Sequence, residues 1–225
     1  VDGCKAISTK NRKIFKMIVY IPIKKNSQRV PEKNFRIFKG KPLWEHTIDK
    51  LKDFEVYVDT DSLEIMDGCM SKPWVKPFLR DENFQGDEVS VVDLLKSFVK
   101  RFNIQDTICQ IHVTSPLLDV NHITFSNYKI KEGFDSVFSV DAVQKRFWRK
   151  EKYGLCPVNH NPVKLEQTQD LPEWYCENSY LYTFKPEVLD MHNRIGNNPY
   201  IFKVGFPYNL DIDTEEDWNV LKGHE

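Results

Sequence analysis

No apolar run in this 225-residue chain approaches the roughly 20 residues that a bilayer-spanning helix needs. The opening stretch, VDGCKAISTKNRKIFK, also lacks the apolar core of a secretory signal, so the chain reads as soluble and cytoplasmic, with no membrane partner. An excess of one charge is missing too. Lys plus Arg number 32 against 33 Asp plus Glu, a net charge of −1, which argues against bulk nucleic-acid binding by phosphate neutralisation. Any cationic function must therefore be local. The five cysteines (Cys4, Cys69, Cys109, Cys156, Cys176) are odd in number and dispersed, with no C-x-x-C pair. The six histidines are equally scattered and form no H-E-x-x-H. Free thiols and no structural metal follow. What is present, 40% hydrophobic and 13% aromatic residues, is ample for the core of one α/β domain with an excursion, or at most two small domains.

Residues 1–16 show no sustained period and read as a tail, a linker or an expression remnant. The first strand is expected over 17–21, with Ile21-Pro22 ending its ladder because proline has no N–H to donate. A loop over 22–34 follows, carrying Lys24, Lys25, Arg29 and Lys33. Its Asn26 and Ser27 tolerate turn geometry, and their backbone N–H groups would suit an anion. A solvated basic loop is the alternative. A helix over 42–52 then places Leu43, Thr47, Ile48 and Leu51 at helical spacing. Strand, polar cationic loop and helix, in that order, is how α/β proteins assemble anion sites.

Further along, 55–58 is a second strand running into Asp59, Thr60, Asp61 and Ser62, residues suited to a helix N-cap or to a site. A short strand ends near Arg80. A helix over 88–102 has Val89, Val92, Leu95 and Val99 on its core face. A third strand, 108–113, has the β-branched, nearly continuous apolar character of a central parallel strand, and a helix begins near Val120. A fourth strand spans 135–140. Strands alternating with helices predict a mostly parallel, helix-flanked sheet with ligands beyond the carboxyl ends of its strands, where the basic loop, Asp61, Ser115 and Asp141 fall.

Residues 142–176 break this rhythm and read as an extended arm with a β-hairpin around Tyr153-Gly154, its aromatics favouring burial against a partner subunit. A strand over 178–184, a short helix over 186–193 and a last strand over 200–206 follow. In LDIDTEED, Asp211 and Asp213 alternate with apolar residues, so both carboxylates point one way in an extended backbone. Such a pair suits Mg²⁺ held against a triphosphate. The other reading makes Asp211 a turn residue and Asp213 a helix-dipole partner. Thr214 with Asp217 forms a capping-box pattern for a final helix over 215–221.

Four blocks in order, IPIKKNSQRVPEKN with GKPLWEHTI, then VDTDS, VTSPL and LDIDTEED, make the chain resemble the acylneuraminate cytidylyltransferases, the CMP-sialic acid synthetases and their CMP-nonulosonate relatives. The resemblance spans residues 17 to about 221. It implies a Rossmann-like fold of the nucleotide-diphospho-sugar transferase type over residues 17–225, with an extended dimerisation arm over about 142–176. It also implies Mg²⁺-assisted transfer of CMP from CTP to a sugar, with release of pyrophosphate, in cell-surface glycan biosynthesis. By that likeness Lys24, Asn26, Ser27 and Arg29 grip the phosphates, Lys33 reaches them, and Asn34 lies near the nucleoside. Lys24, Arg29 and Lys33 would be the catalytic cations. Arg80, Val89 and Ser90 fall where cytosine is recognised, Asp211 and Asp213 where the metal binds, and Asn178 and Tyr182 in the sugar pocket. The arm would form a homodimer and reach the neighbouring site.

Departures are concentrated on the sugar side. His112 stands for a sugar-contacting glutamine, Leu118 for an arginine, and Thr168 for an arginine serving the acceptor. In the phosphate loop, Lys24 replaces an arginine and Gln28 a lysine, and a point charge does not reproduce a planar fork. His112 has three readings, a base, a substrate contact or a hydrogen-bonded core residue. Three functions stand: a cytidylyltransferase for a nonulosonic acid or for a sugar or polyol phosphate, a catalytically weak nucleotide-binding homologue, and a nucleotide-independent interaction module built on the arm.

Overall fold

A computed structural model describes residues 17–27, 29–86 and 88–224. The segment 1–16, expected to be a tail or linker, and Gln28 lie outside them. The strands are β1 (Met17–Ile23), β2 (Ile37–Phe38), β3 (Lys41–Pro42), β4 (Glu55–Thr60), β5 (Val75–Leu79), β6 (Thr107–Ile111), β7 (Ser136–Val143), β8 (Trp148–Glu151), β9 (Gly154–Pro157), β10 (Trp174–Phe184) and β11 (Pro199–Lys203). The α-helices are α1 (Leu43–Asp49), α2 (Leu63–Met70), α3 (Val91–Phe102), α4 (Val120–Lys131) and α5 (Glu215–Lys222).

Among the described residues a seven-stranded sheet runs β11-β7-β10-β6-β1-β4-β5. All its neighbours are parallel except β10, which is antiparallel to both β6 and β7. The mostly parallel, helix-flanked sheet expected from the pattern is therefore the architecture. From β1 the chain moves outward to β4 and β5, then returns across β1 to β6. This reversal places a switch point beyond the carboxyl ends of β1 and β6, where such sheets hold ligands.

Both faces are covered. On one, Val19, Ile21, Val56, Val58 and Ile111 pack against Trp44 and Ile48 of α1, Ile65 of α2 and Ile123 of α4. On the other, Ile18, Tyr20, Tyr57 and Tyr182 meet Leu95 and Phe98 of α3 with Val188 and Leu189 of the 3-10 helix Pro186–Met191. A smaller cluster joins α5, through Trp218 and Leu221, to Phe38 and Leu43. The β2–β3 hairpin turns on Lys39 and Gly40, both at positive φ (44° and 78°), the geometry that two-residue hairpin turns favour.

Several boundaries differ from the pattern-based expectation. Strand β1 does not stop before Pro22. Pro22 and Ile23 keep pairing with Asp59 and Thr60 of β4, whereas pairing with β6 ends at Tyr20, so the missing proline N–H costs no ladder bond there. Asp59 accordingly lies inside β4 and is buried. Helix α3 starts at Val91 with Ser90 as N-cap, which leaves Val89 outside, and its buried stripe is Leu94, Leu95 and Phe98. The short helix after β10 is 3-10, β11 ends at Lys203, and 210–213 belongs to no strand.

Within the arm, β8 and β9 form an antiparallel hairpin from Trp148↔Pro157 to Glu151↔Gly154. Asn159 ties its base, donating to the Lys145 carbonyl at 2.7 Å and accepting from Phe147 N at 2.8 Å. Tyr153, Leu155, Val163 and Leu165 are exposed in the single chain.

Candidate active site

Beyond the ends of β1 and β6 lies a cavity of about 460 Å³, lined by Pro22, Lys24, Asn26, Ser27, Arg29, Lys33, Asn34, His112, Val113, Thr114, Ser179, Asp211 and Asp213. A second chamber of about 490 Å³ adjoins it, sharing Ser179, Asp211 and Asp213 and adding Asp141, Glu177, Asn178, Asn209 and Asp217. One chamber is cationic and the other acidic, and the two aspartates stand on the wall between them.

The cationic wall is built by the loop after β1. Asp61, just past β4, accepts from the Lys25 backbone N–H at 2.6 Å and so pins the loop to the neighbouring strand end. Ser62 is free of that task, and its Oγ caps α2 through Ile65 N. Asn34 donates to the Lys24 carbonyl at 2.8 Å and keeps a buried, unpartnered Oδ1. Lys24 Nζ reaches the Gly86 carbonyl at 2.8 Å, tying this loop to the segment before α3. Lys33 rises from the 3-10 helix Lys33–Phe35, donating to the Ile212 carbonyl at 2.7 Å and to Asp213 Oδ1 at 3.1 Å. Arg29 reaches the same Asp213 oxygen at 2.9 Å.

The acidic wall hangs on α5. Thr214 and Asp217 form the expected capping box, and Asp217 Oδ2 also accepts from Asp213 N at 3.0 Å. Ile212 N donates to the Thr114 carbonyl at 2.8 Å, which fastens this segment to the loop after β6. Burial raises the Asp211 carboxyl above its usual range; the Thr114 hydroxyl, Lys33 and Arg29 oppose the shift, and Asp213 adds to it. Its Oδ1 is buried without a hydrogen-bond partner. An orphaned hard oxygen beside a second carboxylate fits a magnesium ion whose remaining ligands are water and phosphate oxygens.

The sugar-side residues disperse. Asn178 lies in the acidic chamber and donates to Asp141 Oδ1 at 2.9 Å. Tyr182 is buried, its hydroxyl donating to Glu177 at 2.8 Å. Between them the β10 register slips, and Ser179 takes a left-handed φ of 56° that turns it into both chambers. Leu118 is buried core. Thr168 is exposed on the arm and lines neither chamber. Burial, then the charges of Arg194 and Lys33, pull His112 down to about 4, so its ring is neutral at pH 7.

The residues expected at cytosine are also held apart from the cationic chamber. Arg80 is locked to Asp59, Nε to Oδ1 at 2.9 Å, with both side chains 3% exposed or less, and Tyr20 donates to the other carboxylate oxygen. Arg80 lines a separate cavity of about 610 Å³ with Phe78, Phe84 and Lys100. Ser90 Oγ caps α3 by accepting from Asp93 N, and Val89 is half-buried just before it. Pattern reasoning missed Ser179, Asn209, Gln110 and Arg194. Only Gln110 left a signal, a lone polar residue in the apolar run TICQI.

Compared with known proteins, residues 18–222 match the family described as cytidylyltransferase. The chain is 32% identical over 225 residues to an N-acylneuraminate cytidylyltransferase A of Danio rerio, covering 96% of this chain and 52% of that protein. It is 29% identical to a CMP-N,N'-diacetyllegionaminic acid synthase of Legionella pneumophila, covering 90% of this chain and 93% of that one. The chain thus spans about half the length of the N-acylneuraminate cytidylyltransferases it matches. A solved CMP:2-keto-3-deoxy-manno-octonic acid synthetase complexed with CTP superposes with a TM-score of 0.66 at 14% identity, covering 93% of this chain and 98% of that one.

Proposed function

The chain belongs to the cytidylyltransferase family, and from that premise we propose that it transfers CMP from CTP to a nonulosonic acid with release of pyrophosphate. The observation that carries this reading is the pairing of Lys24, Arg29 and Lys33 with Asp211 and Asp213 across one cavity. Cations there neutralise the triphosphate. Arg29 and Lys33, now on Asp213, would exchange that carboxylate for phosphate oxygens. Asp211 and Asp213 would hold Mg²⁺, which supplies charge neutralisation on the phosphate oxygens when bound.

The acceptor hydroxyl then attacks the α-phosphorus in line. Positioning and electrostatics dominate such transfers, so no strong base is needed. A neutral imidazole at His112 agrees with the role of substrate contact. The acidic chamber, with Asn178, Ser179 and Asn209, is proposed to seat the sugar hydroxyls. Arg80, Val89 and Ser90 are proposed to meet the base after the Gly86 segment moves, because that segment already bridges Lys24 and the start of α3. The arm is proposed to pair two copies in the cytoplasm, Thr168 facing the acceptor of the neighbouring site.

Pyrophosphate release should be measured with CTP and Mg²⁺ against nonulosonic acids, Kdo, and sugar or polyol phosphates, with the other nucleoside triphosphates as controls. Release with CTP and a nonulosonic acid is the expected result. Release with a phosphate alone would replace the acceptor. Thermal stabilisation by CTP without any release would favour a catalytically weak nucleotide-binding homologue.

A further inference from the structure

Strand β6 carries one residue unlike its neighbours: Gln110, in TICQI, is 0% exposed. An amide buried in a central strand needs partners at both ends. Arg194 Nη1 lies 2.9 Å from Oε1, and Nε2 lies 3.0 Å from His112 Nε2. A guanidinium only donates, so the amide atom facing it is the oxygen. The other end is then the NH₂ group, which also only donates. His112 Nε2 must therefore accept, and a neutral imidazole with its lone pair on Nε2 carries its proton on Nδ1. That contact is the one hydrogen bond the His112 ring makes among the described residues, while the ring lines the cationic chamber.

Arg194 is itself held. Its guanidinium lies 3.7 Å from the centroid of the Tyr182 ring, and Tyr182 stands directly opposite Gln110 in the β6–β10 ladder. The segment that carries it is docked by Gly196, whose N–H donates to Ser136 Oγ at 2.8 Å. A Cβ on Gly196 would meet the Asp135 carboxylate at 2.3 Å, so only glycine allows this approach.

We propose that Arg194 is a positioning residue: through the Gln110 amide it sets His112 as the Nδ1–H tautomer, so the cavity meets the acceptor with a neutral N–H donor. The group that receives this donor is an oxygen acceptor, a carboxylate, carbonyl or hydroxyl oxygen of the sugar. The identity of that group rests on the cytidylyltransferase reading, whereas the tautomer does not. With its lone pair occupied by Gln110, His112 takes no proton from the attacking hydroxyl.

The test is ¹⁵N NMR of the histidine-labelled full chain, together with steady-state kinetics. In the wild type the His112 signals should be those of a protonated Nδ1 and an unprotonated Nε2; a protonated Nε2 overturns the proposal whatever the substrate. Arg194→Met frees the Gln110 carbonyl and should mix the tautomers and raise KM for the acceptor about tenfold, with KM for CTP little changed. Arg194→Lys, which still donates to Gln110, should restore both, and it serves if the methionine variant does not fold. Gln110→Glu only accepts and should place a proton on Nε2. An unchanged tautomer in both Arg194→Met and Gln110→Glu would overturn the relay. If no acceptor supports turnover, the activity reading fails while the tautomer data still decide this one.

Discussion

At the residue scale, two half-buried titratable groups carry opposite consequences. Asp211 is ionised at a cost, because burial raises its carboxyl. A folded-state pKa above the unfolded one means stability is greatest below the unfolded value and is lost as pH rises. Asp211→Asn should therefore raise the melting temperature at pH 7 by a few degrees while lowering Mg²⁺-dependent turnover by about a thousandfold, the scale of several kcal/mol of lost charge neutralisation. Calorimetry and pyrophosphate release on the same sample would show both, and unchanged turnover would remove Asp211 from the metal site. His112 runs the other way. Its folded value of about 4 lies below the ordinary 6.5, so the unfolded chain takes up the proton first and stability falls as pH drops through that window. Compared with His112→Gln, the wild type should lose up to about 3 kcal/mol between pH 6.5 and 4. Parallel denaturant midpoints across that range would contradict it.

At the scale of elements, the acidic wall is only as well placed as helix α5. The Thr214–Asp217 box caps that helix, and Asp217 also holds the Asp213 backbone. Thr214→Ala should cost about 1 kcal/mol of stability and weaken Mg²⁺ dependence in the same variant. A stability loss with an unaltered Mg²⁺ titration would separate the cap from the metal site. This element was legible in sequence because a capping box is a local pattern, satisfied within four consecutive residues. The exit from β4 was legible in part: Asp61 was seen at a strand end, but its use, holding the Lys25 N–H, depends on β1 and β4 lying side by side. Asp59 was misread as lying past the strand, because nothing local shows that Arg80 and Tyr20 close on it.

At the scale of the whole molecule, the arm is the element that the single chain leaves unsatisfied. Tyr153, Val163 and Leu165 are each more than four-fifths exposed, an apolar surface that a second copy would cover. Deleting residues 145–165 should convert a dimer to a monomer in sedimentation and raise KM for the acceptor if the arm reaches the neighbouring site. A dimer that persists in the deletion variant would place the interface elsewhere. Among the described residues no helix is long and apolar enough to cross a membrane.

By itself the sequence determined what is local or periodic: alternating strands and helices, the cationic loop after β1, the Asp-x-Asp segment and its capped helix. These depend on residues within one or two turns of each other, so short-range physics is enough. Tertiary structure alone decided that the loop, Asp211 and Asp213 share one cavity, that Arg80 closes on Asp59, and that Arg194 reaches Gln110 from 84 residues away. Those pairings depend on the order in which strands join the sheet, which no local pattern encodes.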